Sequence, residues 1–166
     1  LPGRVLIAPF SLAIAPGETV TLMGPSGSGK STLLALVAGG LEPPFTATGH
    51  VSLDGRALGG VPPERRGIGR LFQDDLLFPH LTVAENLLFG MRRGPRAARL
   101  ATAEAALADA GLEGLADRPP QTLSGGQRAR VALLRALLAE PHAMLLDEPF
   151  NELDATLRAA MRDFVF

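Results

Sequence analysis

The chain has 166 residues, 46% of them hydrophobic, and a formal net charge of -1 at pH 7. That length suits one compact core with an inserted subdomain but not two independent domains, and a charge so near zero gives no reason to expect nucleic acid or an anionic membrane surface as a partner. The absence of cysteine excludes disulfides and thiolate metal sites and is compatible with a reducing cytoplasm.

Apolar runs such as residues 33–38 fall far short of the ~20 residues that span a bilayer. The opening Leu1-Pro2-Gly3-Arg4 lacks a charged segment leading into an apolar signal run, so the chain reads as a soluble, non-exported protein. Apolar residues in 10–14 and 19–23, separated by Pro16-Gly17, predict two strands around a turn, the second entering a glycine-rich loop. Residues 30–38 predict an apolar helix ended by Gly39-Gly40. Residues 50–53 before Asp54-Gly55 predict a strand entering a hairpin, and residues 68–72 another short strand. Together these form a β-rich flank.

Beyond Gln73 the pattern turns helical. Thr82 and Glu85 have capping-box spacing at the start of a helix toward Gly90, and the alanine-rich stretch 96–110 predicts a second helix closed by Gly111. The basic cluster within 92–99 reads as a solvated helix start. Ser124 caps a third helix toward Ala139, residues 143–146 predict a short buried strand, and Asp154 caps a final helix. Alternating strands and helices around a glycine-rich loop imply an α/β fold with a parallel-sheet core. We expect one domain over 1–166, with 1–73 and 141–166 as the core and its β flank, and 74–140 as an inserted helical subdomain.

Three motifs carry chemistry. Gly24-Pro25-Ser26-Gly27-Ser28-Gly29-Lys30-Ser31, between a predicted strand and a predicted helix, fits a phosphate-binding loop: glycines let the backbone wrap phosphates, and the helix N-terminus adds positive potential. Lys30 is the sole lysine, and a compact ammonium enters a tight phosphate cradle where a planar guanidinium would clash. Lys30 would contact the β- and γ-phosphates, and the Ser31 hydroxyl would ligate Mg²⁺, with Thr32 completing the nucleotide-binding run. Asp147 and Glu148 end a buried strand at the carboxyl edge where α/β sheets bind ligands; a solvated strand end is the alternative to a magnesium-holding Asp147 and a water-polarising Glu148. In Leu123-Ser124-Gly125-Gly126-Gln127 the serine and glutamine form a capping box, while the paired glycines expose first-turn amides to an anion. Two phosphate-receiving helix starts in one chain need not serve one nucleotide.

The order of these motifs, with Phe72-Gln73 after a short strand, resembles that of ABC ATPases over nearly the whole chain. The resemblance implies a P-loop NTPase of RecA-like core working as a head-to-tail dimer. Each ATP would be held by one subunit's phosphate loop and the other's Leu123, Ser124, Gly125, Gly126 and Gln127. It also implies that Gln73 touches Mg²⁺ or the attacking water and reports to a membrane subunit. Asp154 would lie in the cross-dimer D-loop, where Asn151 replaces the usual serine. No histidine follows His142, and no Tyr or Trp is present, so the family's switch histidine, a further sheet strand and an adenine-stacking aromatic are missing. The expectation is a C-terminally truncated cassette with impaired hydrolysis by itself.

Residues 61–66, 71–83 and 128–137 resemble the ATPases of bacterial importers that use a binding protein, most of all the thiamine-type and YnjD-like branches. This implies a transmembrane permease partner touching the stretch from Gln73 to His80, an indirectly engaged solute-binding protein, no nucleic acid, and a peripheral place on the cytoplasmic face of the inner membrane. An exporter ATPase, or a truncated module that binds nucleotide without hydrolysing it, are the alternatives. Leu76, Leu77 and Phe78 could pack inside the helical subdomain or face the permease; both are expected.

Overall fold

Local capping chemistry sets the starts of two helices and a glycine turn ends a third. The computed structural model describes residues 5–72 and 74–147; Gln73, Glu148, Asn151 and Asp154, with the predicted final helix, lie outside the described residues. The chain divides into two compact units, Leu1–Arg66 and Gly67–Phe166.

In the first unit, helix α1 spans Lys30–Ala38 between two left-handed glycines, Gly29 at φ 96° and Gly39 at φ 84°. The Gly40 amide donates to Ala35 O at 2.9 Å and the Gly39 amide to Leu36 O at 3.0 Å, the paired bonds by which a glycine turn closes a helix. Arg66 finishes the job: its Nη1 donates to Val37 O at 2.8 Å and to Leu36 O at 3.2 Å, placing a cation at the negative end of the helix dipole. A Cβ on Gly39 would lie 2.4 Å from Arg66 Nε, so glycine is needed for space as well as for φ. Strands β1, Ser52–Leu53, and β2, Arg56–Ala57, form an antiparallel hairpin. Its turn residues Asp54 and Gly55 both have positive φ, 50° and 75°, as a two-residue mirror-image turn requires.

Residues 10–14 and 19–23 correct the expectation of two strands. The turn between them is present, with the Glu18 amide donating to Ala15 O at 3.0 Å and Gly17 at φ 75°. The flanking residues, however, belong to no ladder, and Phe10, Leu12 and Ile14 are exposed. The alternation suits a strand, but a strand exists only with a hydrogen-bonded neighbour, and the described residues of this unit supply none. The predicted strand at 50–53 likewise pairs only from Ser52.

In the second unit, β3, Ile68–Leu71, runs parallel to β4, Ala143–Leu146, with Ile68 opposite Ala143 and Leu71 opposite Leu146. The connection carries three helices, α2 at Val83–Gly90, α3 at Arg96–Asp109 and α4 at Gly125–Leu137. Both predicted capping boxes form, at Thr82 with Glu85 and at Ser124 with Gln127. One hydrophobic cluster joins Val83, Leu87, Ala103, Leu107, Val131 and Leu134 of the three helices. A second packs Ala132 and Leu133 of α4 against Leu71 and Leu146 of the two strands. Within the basic cluster, Arg92 pairs with Glu140 at 3.5 Å with both side chains largely exposed, as a solvated helix start should, while Arg99 donates to Leu88 O.

Asn86 of α2 is fully buried, and the sequence did not single it out. Its Oδ1 accepts from the Phe78 amide at 2.8 Å, and its Nδ2 donates to the carbonyls of Phe78, Leu81 and Thr82 at 3.1, 3.3 and 2.9 Å. The loop before α2 is thereby folded around one amide. Asn86→Leu keeps the branched skeleton but removes the acceptor of the Phe78 N–H, while the Phe78 carbonyl keeps the Leu81 amide as donor, so it should lower the unfolding free energy by about 2–3 kcal/mol in urea denaturation.

Candidate functional site

The glycine-rich loop runs from Gly24 to the first turn of α1. Ser28 N donates to Pro25 O at 3.3 Å, and Gly27 and Gly29 have φ of 76° and 96°, a conformation that L side chains resist. Side chains would also crowd the loop: a Cβ on Gly24 would sit 3.0 Å from Ser28 Oγ, and one on Gly29 would sit 3.0 Å from Leu6. The first bond within α1 is Leu33 N to Gly29 O at 2.8 Å, so the amides of Lys30, Ser31 and Thr32 precede the ladder and carry the positive end of the helix dipole. No acidic residue occupies this first turn. Lys30 folds back across the loop, its Nζ donating to Gly24 O at 2.8 Å and Pro25 O at 2.9 Å. The result is a backbone cradle with one ammonium at its centre, a match for a polyphosphate.

The second helix start belongs to α4. Gln127 N donates to Ser124 Oγ at 3.2 Å and Ser124 N to Gln127 Oε1 at 2.9 Å. The amides of Gly125 and Gly126 lie ahead of the first helical bond, Arg128 N to Ser124 O at 2.9 Å. Two arginines brace this start. Arg130 Nη1 donates to Ala110 O at 2.7 Å beyond the end of α3, and Arg128 Nη1 to Leu123 O at 2.9 Å.

Asp147 follows β4 directly, and its amide continues the ladder by donating to Leu71 O at 3.2 Å. The carboxylate thus stands at the carboxyl edge of the β3–β4 pair, half-buried, with Arg70 Nη2 3.8 Å from its Oδ2. Arg70 also lies over the Phe72 ring, 4.3 Å from its centroid. The sequence mark of Arg70 is a charged residue inside an otherwise apolar strand. Leu76, Leu77 and Phe78 differ in burial. Leu77 packs against both hydrophobic clusters, whereas Leu76 is 53% exposed and Phe78 lies beside an exposed Phe89 with ring centroids 4.5 Å apart.

A phosphate cradle on a helix start, an acid closing a partly buried parallel strand and a second glycine-paired helix start define a P-loop NTPase of the cassette class. A family model described as ABC transporter matches residues 7–151. An uncharacterized ABC transporter ATP-binding protein, YnjD of Escherichia coli, is 48% identical over 167 residues, covering 100% of this chain and 77% of the relative. A spermidine/putrescine import ATP-binding protein, PotA of Methylococcus capsulatus, is 51% identical over 156 residues, covering 92% of this chain and 40% of that protein. Among solved structures, the dimeric post-hydrolysis state of the ATP-binding cassette MJ0796 bound to ADP and Pi superimposes with a TM-score of 0.79 at 36% identity, covering 93% of this chain and 70% of that one. The chain belongs to the ABC transporter family, among its ATP-binding proteins. Lys30→Ala removes the ammonium from the loop and should weaken ATP binding at least about tenfold by titration calorimetry, the loss of one charge-assisted contact.

Proposed function

We propose that this chain is the ATP-binding and ATP-hydrolysing part of an importer, a single cassette domain working as a head-to-tail dimer. The observation that carries the reading is the presence of two separate anion-receiving helix starts, one at Lys30 and one at Gly125. Residues 24–32 hold the triphosphate of one ATP, and the turn of residues 123–127 receives the triphosphate bound by the other subunit. ATP therefore joins two copies, and its hydrolysis releases them, the two-state change that drives alternating access in a membrane partner.

By the family resemblance Ser31, Gln73 and Asp147 would supply hydroxyl, amide and carboxylate oxygens, a donor chemistry suited to Mg²⁺. When bound there, the ion neutralises charge developing on the β- and γ-phosphates. Glu148 orients and deprotonates the attacking water, and Asp154 supports the partner's site across the dimer. Exposed Leu76, and Phe89 beside Phe78, support the stretch from Gln73 to His80 as the permease contact, with a solute-binding protein engaged only through that permease. No helix among the described residues is long and apolar enough to cross a membrane; the proposed place at the cytoplasmic face is one held through the permease.

In the intact protein Glu148→Gln should accumulate as an ATP-bound dimer in size exclusion with light scattering, with ATP and Mg²⁺ present. Monomers under those conditions contradict the dimer reading. Leu76→Glu should abolish co-purification of the permease without changing ATP affinity; retained co-purification rules out that contact.

A further inference from the structure

The segment after β3 is strapped to the face of α4 that carries Arg128 and Arg135, two helical turns apart. Arg128 Nε donates to Asp75 Oδ2 at 2.8 Å, and Arg135 donates through Nη1 to Leu76 O at 2.9 Å and through Nη2 to Asp75 O at 3.1 Å. Burial pushes the Arg135 guanidinium's pKa down while the Asp75 charge opposes that shift. Asp75 is itself oriented, because its Oδ1 accepts from the Leu77 amide at 3.3 Å.

Arg128 is the informative member of this set. It sits just inside the N-terminus of α4, where a cation opposes the helix dipole unless an anion neutralises it. Asp75 supplies that anion, and the second arm of Arg128 then grips the carbonyl of Leu123, the residue immediately before the Ser124 cap. One guanidinium therefore connects a carboxylate from the segment after β3 to the backbone that sets the Ser124-Gly125-Gly126 turn.

We propose that Asp75 is a positioning residue for that turn: acting through Arg128, it holds the Leu123 carbonyl and so aims the Gly125 and Gly126 amides at the ATP of the other subunit. The inference rests on the dimer reading above and assigns Asp75 a part in it that the motif itself does not include. Its reach also gives a physical link between the segment proposed to meet the permease and the turn that closes the dimer, because both are ends of the same bonded chain of groups.

The test uses the intact protein in the Glu148→Gln background and compares Asp75→Ala, Asp75→Asn, Arg128→Met and the Asp75→Ala/Arg128→Met double variant. ATP-driven dimerisation is measured by sedimentation, ATP affinity of the monomer by calorimetry, and melting temperature by differential scanning. Asp75→Ala should weaken dimerisation about tenfold at unchanged monomer ATP affinity, and Asp75→Asn, which keeps an acceptor for Arg128 Nε, should recover part of that loss. The double variant should be no worse than the worse single variant, because the two side chains act as one unit. Dimerisation of Asp75→Ala equal to the parent overturns the proposal, as do penalties that simply add. Should Asp75→Ala fail to fold, Asp75→Asn and Arg128→Met decide on the same criteria. A parent that forms no ATP-dependent dimer fails the dimer reading itself and this inference with it, whereas a dimerising parent with an insensitive Asp75 fails the inference alone.

Discussion

Four consecutive residues of α4, Val131, Ala132, Leu133 and Leu134, are buried, and an amphipathic helix with one apolar stripe cannot achieve that. It happens because α4 is packed on two sides, with Val131 and Leu134 toward α2 and α3 and Ala132 and Leu133 toward the β3–β4 pair. Each large side chain so buried contributes roughly 1.5–3 kcal/mol relative to exposure, so the axis and rotation of this helix are strongly held. Its N-terminus is the Ser124-Gly125-Gly126 turn. Placement of a ligand-receiving element is thus inherited from the core, whereas its fine aim depends on polar contacts near the helix end.

Those polar contacts are largely arginine to backbone carbonyl. Arg128 reaches Leu123, Arg130 reaches Ala110, and Arg135 reaches Asp75 and Leu76. Arg66 does the same at the end of α1 in the first unit. A guanidinium carries five donors in a fixed fork and can satisfy two carbonyls of different segments at once, which a lysine ammonium does with less geometric definition. The chain keeps its single lysine for the phosphate loop, where a point charge with rotatable donors suits a ligand that must be admitted and released.

Legibility in the sequence followed the range of the interactions. Capping boxes at Thr82 and Ser124, the glycine stop after Ala38 and the Asp54-Gly55 hairpin were readable because each is settled within a few residues. The phosphate loop was readable for the same reason. Residues 10–14 and 19–23 were misread because alternation reports a preference for a strand, while the ladder depends on partners remote in sequence. Asn86, Arg70 and the Asp75–Arg128 pair were invisible as contacts, since the pair spans 53 residues and no local pattern marks it. Asp147 was placed at the strand end as expected, yet its Arg70 neighbour emerges only from the parallel register of β3 with β4.

The two phosphate-receiving helix starts are not equivalent, and the difference lies in their caps. Gly29 offers α1 no side-chain cap, so the amides of Lys30, Ser31 and Thr32 all precede the ladder, and the Lys30 ammonium rests on the Gly24 and Pro25 carbonyls. At α4 the Gln127 amide is already engaged by Ser124 Oγ, leaving Gly125 and Gly126 as the receiving pair, and the nearest cation is committed to Asp75 and Leu123 O. The two starts thus differ in charge, and a charge-assisted bond from Lys30 to a phosphate adds more than a neutral bond. On the proposed dimer reading a nucleotide settles first in the glycine-rich loop, and the Ser124 turn adds its share when a second copy presents it. On that reading dimer closure depends on prior ATP binding, and the order is set by a glycine at one helix cap and a serine at the other.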